Sequence, residues 1–447
     1  MKMLKHNCIY IMQTFKRCYS ALYITGNKAQ ETFAVVTPYI DFEERLNKKN
    51  ELVTNIAARN YPLDIQKVFE TWDFFQTVDD QRKKLEETRA YIGQKISTLM
   101  KEYSKNEEEI KKLKLHFQLV KEDLKNLKEH YYEVEEQTML KVLDIPNVLH
   151  PKTPLKDEVV ICQYLEKPDT TSENHMVIAE SLGYLEYINK TTSFFKGDAS
   201  LFEQAILNYF RSCIIDSGFT VFCNSSFCRS VVAEGCAEVS NVFTIAELDC
   251  SKENLNHLHF CGSSTILSFM AYFTKHAISN IHLPLKYLSI GKRYRVQDSE
   301  KTDSLFNLSQ ESTLSVFLAT AENELLELDQ ILKDVKSYYE RLGYHFRIVL
   351  LPANKIDKSE SLHVSIQMYS NYLNQYVEVG NLSSFDSYLS KRLLFTYNHQ
   401  SPEGKQRKFP KIIAGTVLNV PKLLGCILEN NVDKKLLSPM LNKYIFH

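Results

Sequence analysis

The sequence predicts an α+β protein, with a mainly antiparallel sheet domain preceded by an antiparallel helical coiled-coil arm. Three observations lead there. From Leu63 to Ile145 there is no proline and a single glycine, Gly93, which permits very long helices. Within that stretch two apolar stripes recur at steps of three and four. Beyond it, helix-period patterns alternate with short strand-like runs, the mark of mixed layers rather than a bundle.

The first thirty residues carry Lys2, Lys5, Lys16, Arg17 and Lys28, with no acid before Glu31, and Ile9, Ile11, Met12, Phe15 and Tyr19 lie among them. A basic amphipathic segment of this kind is what mitochondrial import reads, so residues 1–30 are expected to be a transit peptide and flexible N-terminus. Arg17-Cys18-Tyr19-Ser20 resembles a processing site cut after Tyr19, which directs the mature protein to the matrix. The competing reading is a frayed basic terminus. No apolar run approaches membrane-spanning length, so a soluble protein with no membrane partner is expected.

Residues 31–145 read as an N-terminal helical domain. Leu85, Ile92, Ile96, Leu99 and Tyr103 make one seam, and Ile110, Leu113, Phe117, Val120, Leu124, Leu127, Tyr131 and Val134 make the other. Ser104-Lys105-Asn106 breaks the pattern between them, and Ser104 or Asn106 can cap the second helix. Between Asp79 and Leu140 there are thirteen Lys/Arg against fourteen Asp/Glu, so the arm is no polycation. Its basic letters concentrate near the tip, where Lys101, Lys105, Lys111, Lys112 and Lys114 are candidates for RNA phosphates; a merely solvated face is the alternative.

Pro146, Pro151 and Pro154 then form a linker, IPNVLHPKTP, that also ends the second helix. In the remaining domain, 146–447, Leu201 to Arg211 reads as helix, and Thr220 to Cys223, Phe346 to Leu351 and Lys411 to Val417 read as strands. Leu285, Tyr287 and Ser289 alternate into Arg293-Tyr294-Arg295, followed by a polar loop and a second run from Leu305: strand, long turn, strand. An arginine on such a hairpin suits phosphate, because its planar fork makes two parallel charge-assisted bonds. A second basic cluster, Lys405, Arg407, Lys408 and Lys411, is another candidate RNA surface.

Composition excludes several classes. Lys+Arg 54 against Asp+Glu 55 leaves no global field to draw the molecule onto nucleic acid. Among ten cysteines none forms a C-x-x-C pair; Cys223, Cys228 and Cys236 have no matching histidine spacing and read as buried free thiols in a reducing compartment. Neither a Walker nor a dinucleotide glycine loop occurs, so no metal and no cofactor are expected.

FFKGDASLFEQAILNYF at Phe194–Phe210, LPLKYL before the hairpin and LLGCILEN at Leu423–Asn430 resemble seryl-tRNA synthetase, a class II aminoacyl-tRNA synthetase, and the likeness runs from about Asp41 to the C-terminus. The resemblance implies a class II synthetase-like domain over 146–447, with Arg295, Glu378 and Lys422 as residual nucleotide contacts. It also implies losses. The motif-two glutamate reads Gln297; the γ-phosphate arginine and the adenine-stacking aromatic read Asn307 and Glu311; glycine-arginine of motif three reads Pro421-Lys422. The serine-recognising threonine-x-glutamate ends in Thr265, a second ammonium partner reads Ser315, the serine beside the magnesium-binding glutamate reads Asn381, and the motif-one proline is replaced around Asn224-Ser225. Each lost charge contact is worth about 3 kcal/mol of transition-state stabilisation, and roughly five are missing, so little catalysis is expected.

An intact scaffold with an erased site resembles the mitochondrial seryl-tRNA synthetase-like paralogues of insects. That likeness implies no ligase activity, binding of RNA (tRNA and mitochondrial mRNA), and a heterodimer with the active mitochondrial seryl-tRNA synthetase. The alternative is an active, divergent mitochondrial seryl-tRNA synthetase, an ATP-dependent serine-tRNA ligase.

Overall fold

The computed structural model describes residues 20–24, 36–101, 107–168, 173–189, 192–245, 257–296, 304–401, 404–430 and 436–445. The proline-free stretch forms two 37-residue helices, Ile65–Lys101 and Glu107–Leu143, each about 55 Å long at 1.5 Å per residue. They run antiparallel. Lys95 meets Glu109 at 3.3 Å near the turn, Lys128 meets Glu86 at 3.2 Å midway, and Lys141 Nζ donates to Thr71 Oγ1 at 2.7 Å toward the base. Ile92, Val120 and Leu124 are buried in the seam, with Leu85, Ile96, Leu113 and Phe117 packed on them. The expected caps Ser104 and Asn106, together with Tyr103 and Lys105, lie outside the described residues.

At the base the arm packs on two short helices, Phe42–Leu46 and Lys49–Ala58. The core there is aromatic: Trp72 meets Phe42 edge-on with centroids 5.0 Å apart, and Phe75 lies 5.8 Å from Tyr131. The proline linker does not hang free. Asn147 donates from its backbone to Lys358 O at 2.7 Å and from its amide to Ser359 O and Phe385 O, and Thr153 Oγ1 donates to Ser361 O at 2.8 Å.

The second domain is built on an eight-stranded sheet. Its strands, in spatial order, are Val159–Tyr164, Phe346–Leu350, Leu362–Ser370, Gln375–Asp386, Lys411–Asn419, Gln310–Thr320, Leu285–Tyr294 and Thr220–Val221. Every neighbouring pair is antiparallel except the last, which is parallel. Along Gln310–Thr320 the side chains alternate between two cores, as the period of a strand requires. Leu314, Val316 and Leu318 join helices Gly197–Asp216, Glu324–Glu340 and Val420–Asn430 on one face. Phe317 and Ala319 join Ser230–Gly235, Ile266–Phe273 and Tyr388–Leu393 on the other.

Three details differ from the sequence reading. The second hairpin strand starts at Gln310, and Leu305 and Leu308 are instead buried in the loop before it; burial alone makes such a run look like a strand. Cys223 is exposed, whereas Cys228 and Cys236 are buried. Ser20–Ile24, expected in a flexible terminus, lie against the sheet domain: one oxygen of Glu234 accepts from Ser20 Oγ at 2.5 Å, Ala21 N at 3.0 Å and Leu22 N at 3.1 Å, and Ala21 and Leu22 are buried beside Val231 and Phe269. Among the described residues no helix is long and apolar enough to cross a membrane, and no cluster of His, Cys, Asp and Glu is arranged to hold a metal ion.

Candidate active-site pocket

A cavity of about 160 Å³ opens on the sheet face that carries Phe317. Its floor comes from Gln310–Thr320, Lys411–Asn419, Gln375–Asp386 and Leu362–Ser370, and its wall from the start of helix Ile266–Phe273 and the arginine hairpin. A β-bulge decides which side chains reach it. Gly380 opposes Ile366 while Glu378 opposes Gln367, so Val379 is skipped in the register. In a regular strand Glu378 and Asn381 would face opposite ways; the extra residue turns both into the cavity. Gly415 lets the strands close up beneath, because a Cβ there would sit 2.2 Å from Asn381 O.

Six of the residues singled out from sequence are brought together here: Arg295, Glu378, Lys422, Thr265, Ser315 and Asn381. Most are already engaged. Thr265 is the N-cap of its helix, accepting from Ser268 N at 3.3 Å in a reciprocal capping box. Ser315 Oγ donates to Ser264 O at 3.0 Å and lies 3.3 Å from Thr416 Oγ1. Asn381 Oδ1 accepts from Thr416 N at 2.8 Å. Glu311 is buried next to the cavity, its carboxylate 4.0 Å from Lys422 Nζ. Pro421 sits in the first turn of Val420–Asn430, where a missing N–H costs nothing. Asn307 lies in the buried loop, its N–H bonded to Ser304 O at 3.2 Å, and is not among the lining residues. Gln297 and Lys105 lie outside the described residues, as does the side chain of Lys405.

The chemistry of the pocket centres on residues the sequence reading passed over. His363 lies between two carboxylates: Nδ1 is 3.0 Å from Glu360 Oε1, and Nε2 is 3.1 Å from Glu378 Oε2. Ser365 Oγ donates to the same Glu378 oxygen at 2.6 Å, and Ser383 Oγ lies 3.1 Å from His363 Nδ1. Burial alone would push the imidazole toward its neutral form, but the charges of Glu360 and Glu378 outweigh it and hold its pKa well above the ordinary value. For Glu378 burial pulls up, while His363 and Ser365 together bring the carboxyl down to about 2. Glu360 is lowered in the same way. Partial desolvation of its carboxyl in the cavity wall, and then the charge of Glu360, push Asp357 up to about 6. On the opposite wall Arg293 Nη1 donates to Thr416 Oγ1 at 3.2 Å, and burial followed by the nearby Arg295 lowers its guanidinium. The one sequence signal for the triad was Glu360-x-x-His363, a spacing too common to single out.

The resemblance to seryl-tRNA synthetase implies a magnesium ion carried with ATP and held by Glu378. The residues present do not fit it. Glu378 Oε2 already takes two protein hydrogen bonds, from His363 and Ser365, the Asn381 oxygen is turned to a backbone N–H, and among the described residues no His, Cys, Asp and Glu are grouped to hold an ion.

Residues 250–431 match the family model for the tRNA synthetase class II core domain (G, H, P, S and T). The chain is 26% identical over 451 residues to the serine--tRNA synthetase-like protein Slimp of Drosophila melanogaster, covering 98% of this chain and 95% of that protein. It is 22% identical over 446 residues to the mitochondrial serine--tRNA ligase of Mus musculus, covering 94% and 84%. Among solved structures, seryl-tRNA synthetase from Pyrococcus horikoshii complexed with ATP aligns with a TM-score of 0.78 at 15% identity, over 90% of this chain and 97% of that one. The cytoplasmic serine-tRNA ligase of Naegleria fowleri in complex with AMP aligns at 0.73 and 16%, over 89% and 94%. With a class II core sequence over residues 250–431 and near full-length likeness to serine--tRNA ligases and to their fold, the chain has the class II aminoacyl-tRNA synthetase fold and is similar in sequence to serine--tRNA ligases and to the synthetase-like protein Slimp.

Proposed function

We propose that this chain is a catalytically inactive seryl-tRNA synthetase paralogue that acts in mitochondria by binding RNA and by pairing with the active mitochondrial seryl-tRNA synthetase. The observation that carries the reading is the pocket's internal satisfaction. Groups at the family's substrate-gripping positions are bonded to neighbouring protein groups: Glu378 to His363 and Ser365, Asn381 to Thr416, Ser315 to Ser264, Thr265 to its own helix. A site complementary to a transition state keeps its donors and acceptors aimed at the reacting atoms. Arg295 and Lys422 stand as residual nucleotide contacts in this reading, while Glu378, named with them from the sequence, is taken by His363 and Ser365.

The basic leader composition and the mitochondrial serine--tRNA ligases among the relatives support a matrix location. The long arm, with Lys101, Lys111, Lys112 and Lys114 exposed toward its tip, supports contact with an extended RNA such as tRNA or a mitochondrial mRNA. The hairpin of Thr396–Ser401 and Gly404–Lys408 offers exposed Arg407 and half-buried Lys408 as a second basic surface.

Serine-dependent ATP–pyrophosphate exchange tests the inactive site: the isolated chain is expected to stay at background, and exchange above it identifies an active, divergent ligase instead. For the partner, affinity purification from mitochondria is expected to recover the seryl-tRNA synthetase with this chain. Recovery of the chain alone, or only with copies of itself, removes the heterodimer from the reading.

A further inference from the structure

We propose that His363 has taken over the cation position of the pocket, so that Glu360 and Glu378 are organised around an internal imidazole ring and the site admits no divalent metal. The geometry is that of a filled site. Both ring nitrogens lie within hydrogen-bond distance of carboxylate oxygens, 3.0 Å to Glu360 Oε1 and 3.1 Å to Glu378 Oε2, which as acceptors require both nitrogens to donate. Ser365 Oγ occupies Glu378 Oε2 from a second direction at 2.6 Å. A magnesium ion binds oxygen at about 2.0–2.1 Å in an octahedral shell, so an ion on Glu378 Oε2 would have to displace the imidazole or the Ser365 hydroxyl that already hold it. The neighbouring oxygen of Asn381 is turned to Thr416 N at 2.8 Å and supplies no alternative ligand.

The ring is also held from behind. Glu360 is fixed by Asp357 N, which donates to its Oε2 at 3.0 Å, and its carbonyl accepts from Arg59 of the helical domain at 2.5 Å. His363 is buried, as is Glu360, while Glu378 is half-buried at the cavity rim. An anion entering the cavity meets Arg293, Arg295 and Lys422 without a bridging metal. This deepens the reading of the pocket as inactive, yet the two fail separately. Saturable metal binding without serine-dependent exchange overturns only the metal claim; exchange overturns the functional reading.

The full chain, titrated with Mn2+ and followed by electron paramagnetic resonance, tests it. The wild-type isotherm is expected to match that of Glu378→Gln within twofold. Fe2+ with ascorbate and peroxide is expected to produce no backbone cleavage between residues 360 and 381. His363→Ala, where its melting transition is retained, is expected to bind Mn2+ at least tenfold more tightly than wild type. A saturable wild-type Mn2+ site lost in Glu378→Gln, iron-directed cleavage within that segment, or a folded His363→Ala with no gain in Mn2+ affinity each overturns the proposal. Should His363→Ala fail to fold, wild-type cleavage alone decides.

Discussion

At the scale of single residues, the Glu360–His363–Glu378 cluster makes stability depend on pH in a direction that can be worked out. His363 has a folded pKa above its unfolded value of 6.5, so its contribution is complete below that value and is lost as pH rises through the folded one. Glu378 falls from 4.5 to about 2, so its contribution is complete above 4.5 and is lost as pH falls toward 2. Glu360 acts in the same sense as Glu378, and the charged groups facing the ring are these two carboxylates and Asp357. The stabilisation is therefore greatest between about pH 4.5 and 6.5. Urea unfolding of wild type and His363→Gln should differ most in that window, and by less above it. A gap between the two that widens from pH 6.5 to 9 would contradict the arrangement.

At the scale of elements, the arm and the sheet solve different problems. Net neutrality along the arm lets two long helices lie together without repulsion, with cross-helix pairs such as Lys128–Glu86 at its surface. Lys111, Lys112 and Lys114, exposed toward the tip, are the proposed phosphate contacts. Replacing Lys111, Lys112 and Lys114 together by Ala should weaken binding of a tRNA and flatten its dependence on salt, the slope of log K against log salt falling by up to about 3 if each lysine neutralises one phosphate. Filter binding from 50 to 300 mM salt reads this, and an unchanged slope moves the RNA surface to another face, such as Arg407 and Lys408. Within the sheet, the bulge at Val379 and the close approach at Gly415 set the pocket's floor.

At the scale of the whole molecule, the helical domain is keyed to the pocket through Arg59. That side chain is buried, donating to Asn55 Oδ1, Asn147 O, Asp357 O and Glu360 O, and burial brings its pKa down to about 10. Around it Lys391 pairs with Asp41 at 2.7 Å and Lys358 with Asp144 at 2.8 Å. Arg59→Ala leaves several buried acceptors unmatched and should destabilise the protein on the order of 2–4 kcal/mol. Calorimetry is expected to show a lower melting temperature for the sheet domain as well as for the helical one. A loss confined to the helical domain would mean that the two unfold independently.

Period and proline were enough to place both long helices, their antiparallel return and the arginine hairpin, because a seam that repeats along 37 residues has one way to be buried. The resemblance to seryl-tRNA synthetase likewise marked Arg295, Glu378 and Lys422, which line one cavity. The pocket's actual wiring was not legible. His363 and Glu360 carry no distinctive spacing, and Glu378 reaches the cavity together with Asn381 only through a bulge that depends on the neighbouring strand. Leu305 and Leu308 looked like strand because they are buried, and whether a buried run is strand or loop depends on what packs over it. Sequence by itself determined the elements and their periodic faces, since these follow from local backbone geometry. Only the tertiary structure decided which polar groups satisfy one another, since a hydrogen bond between Glu378 and His363 depends on strand register and side-chain direction.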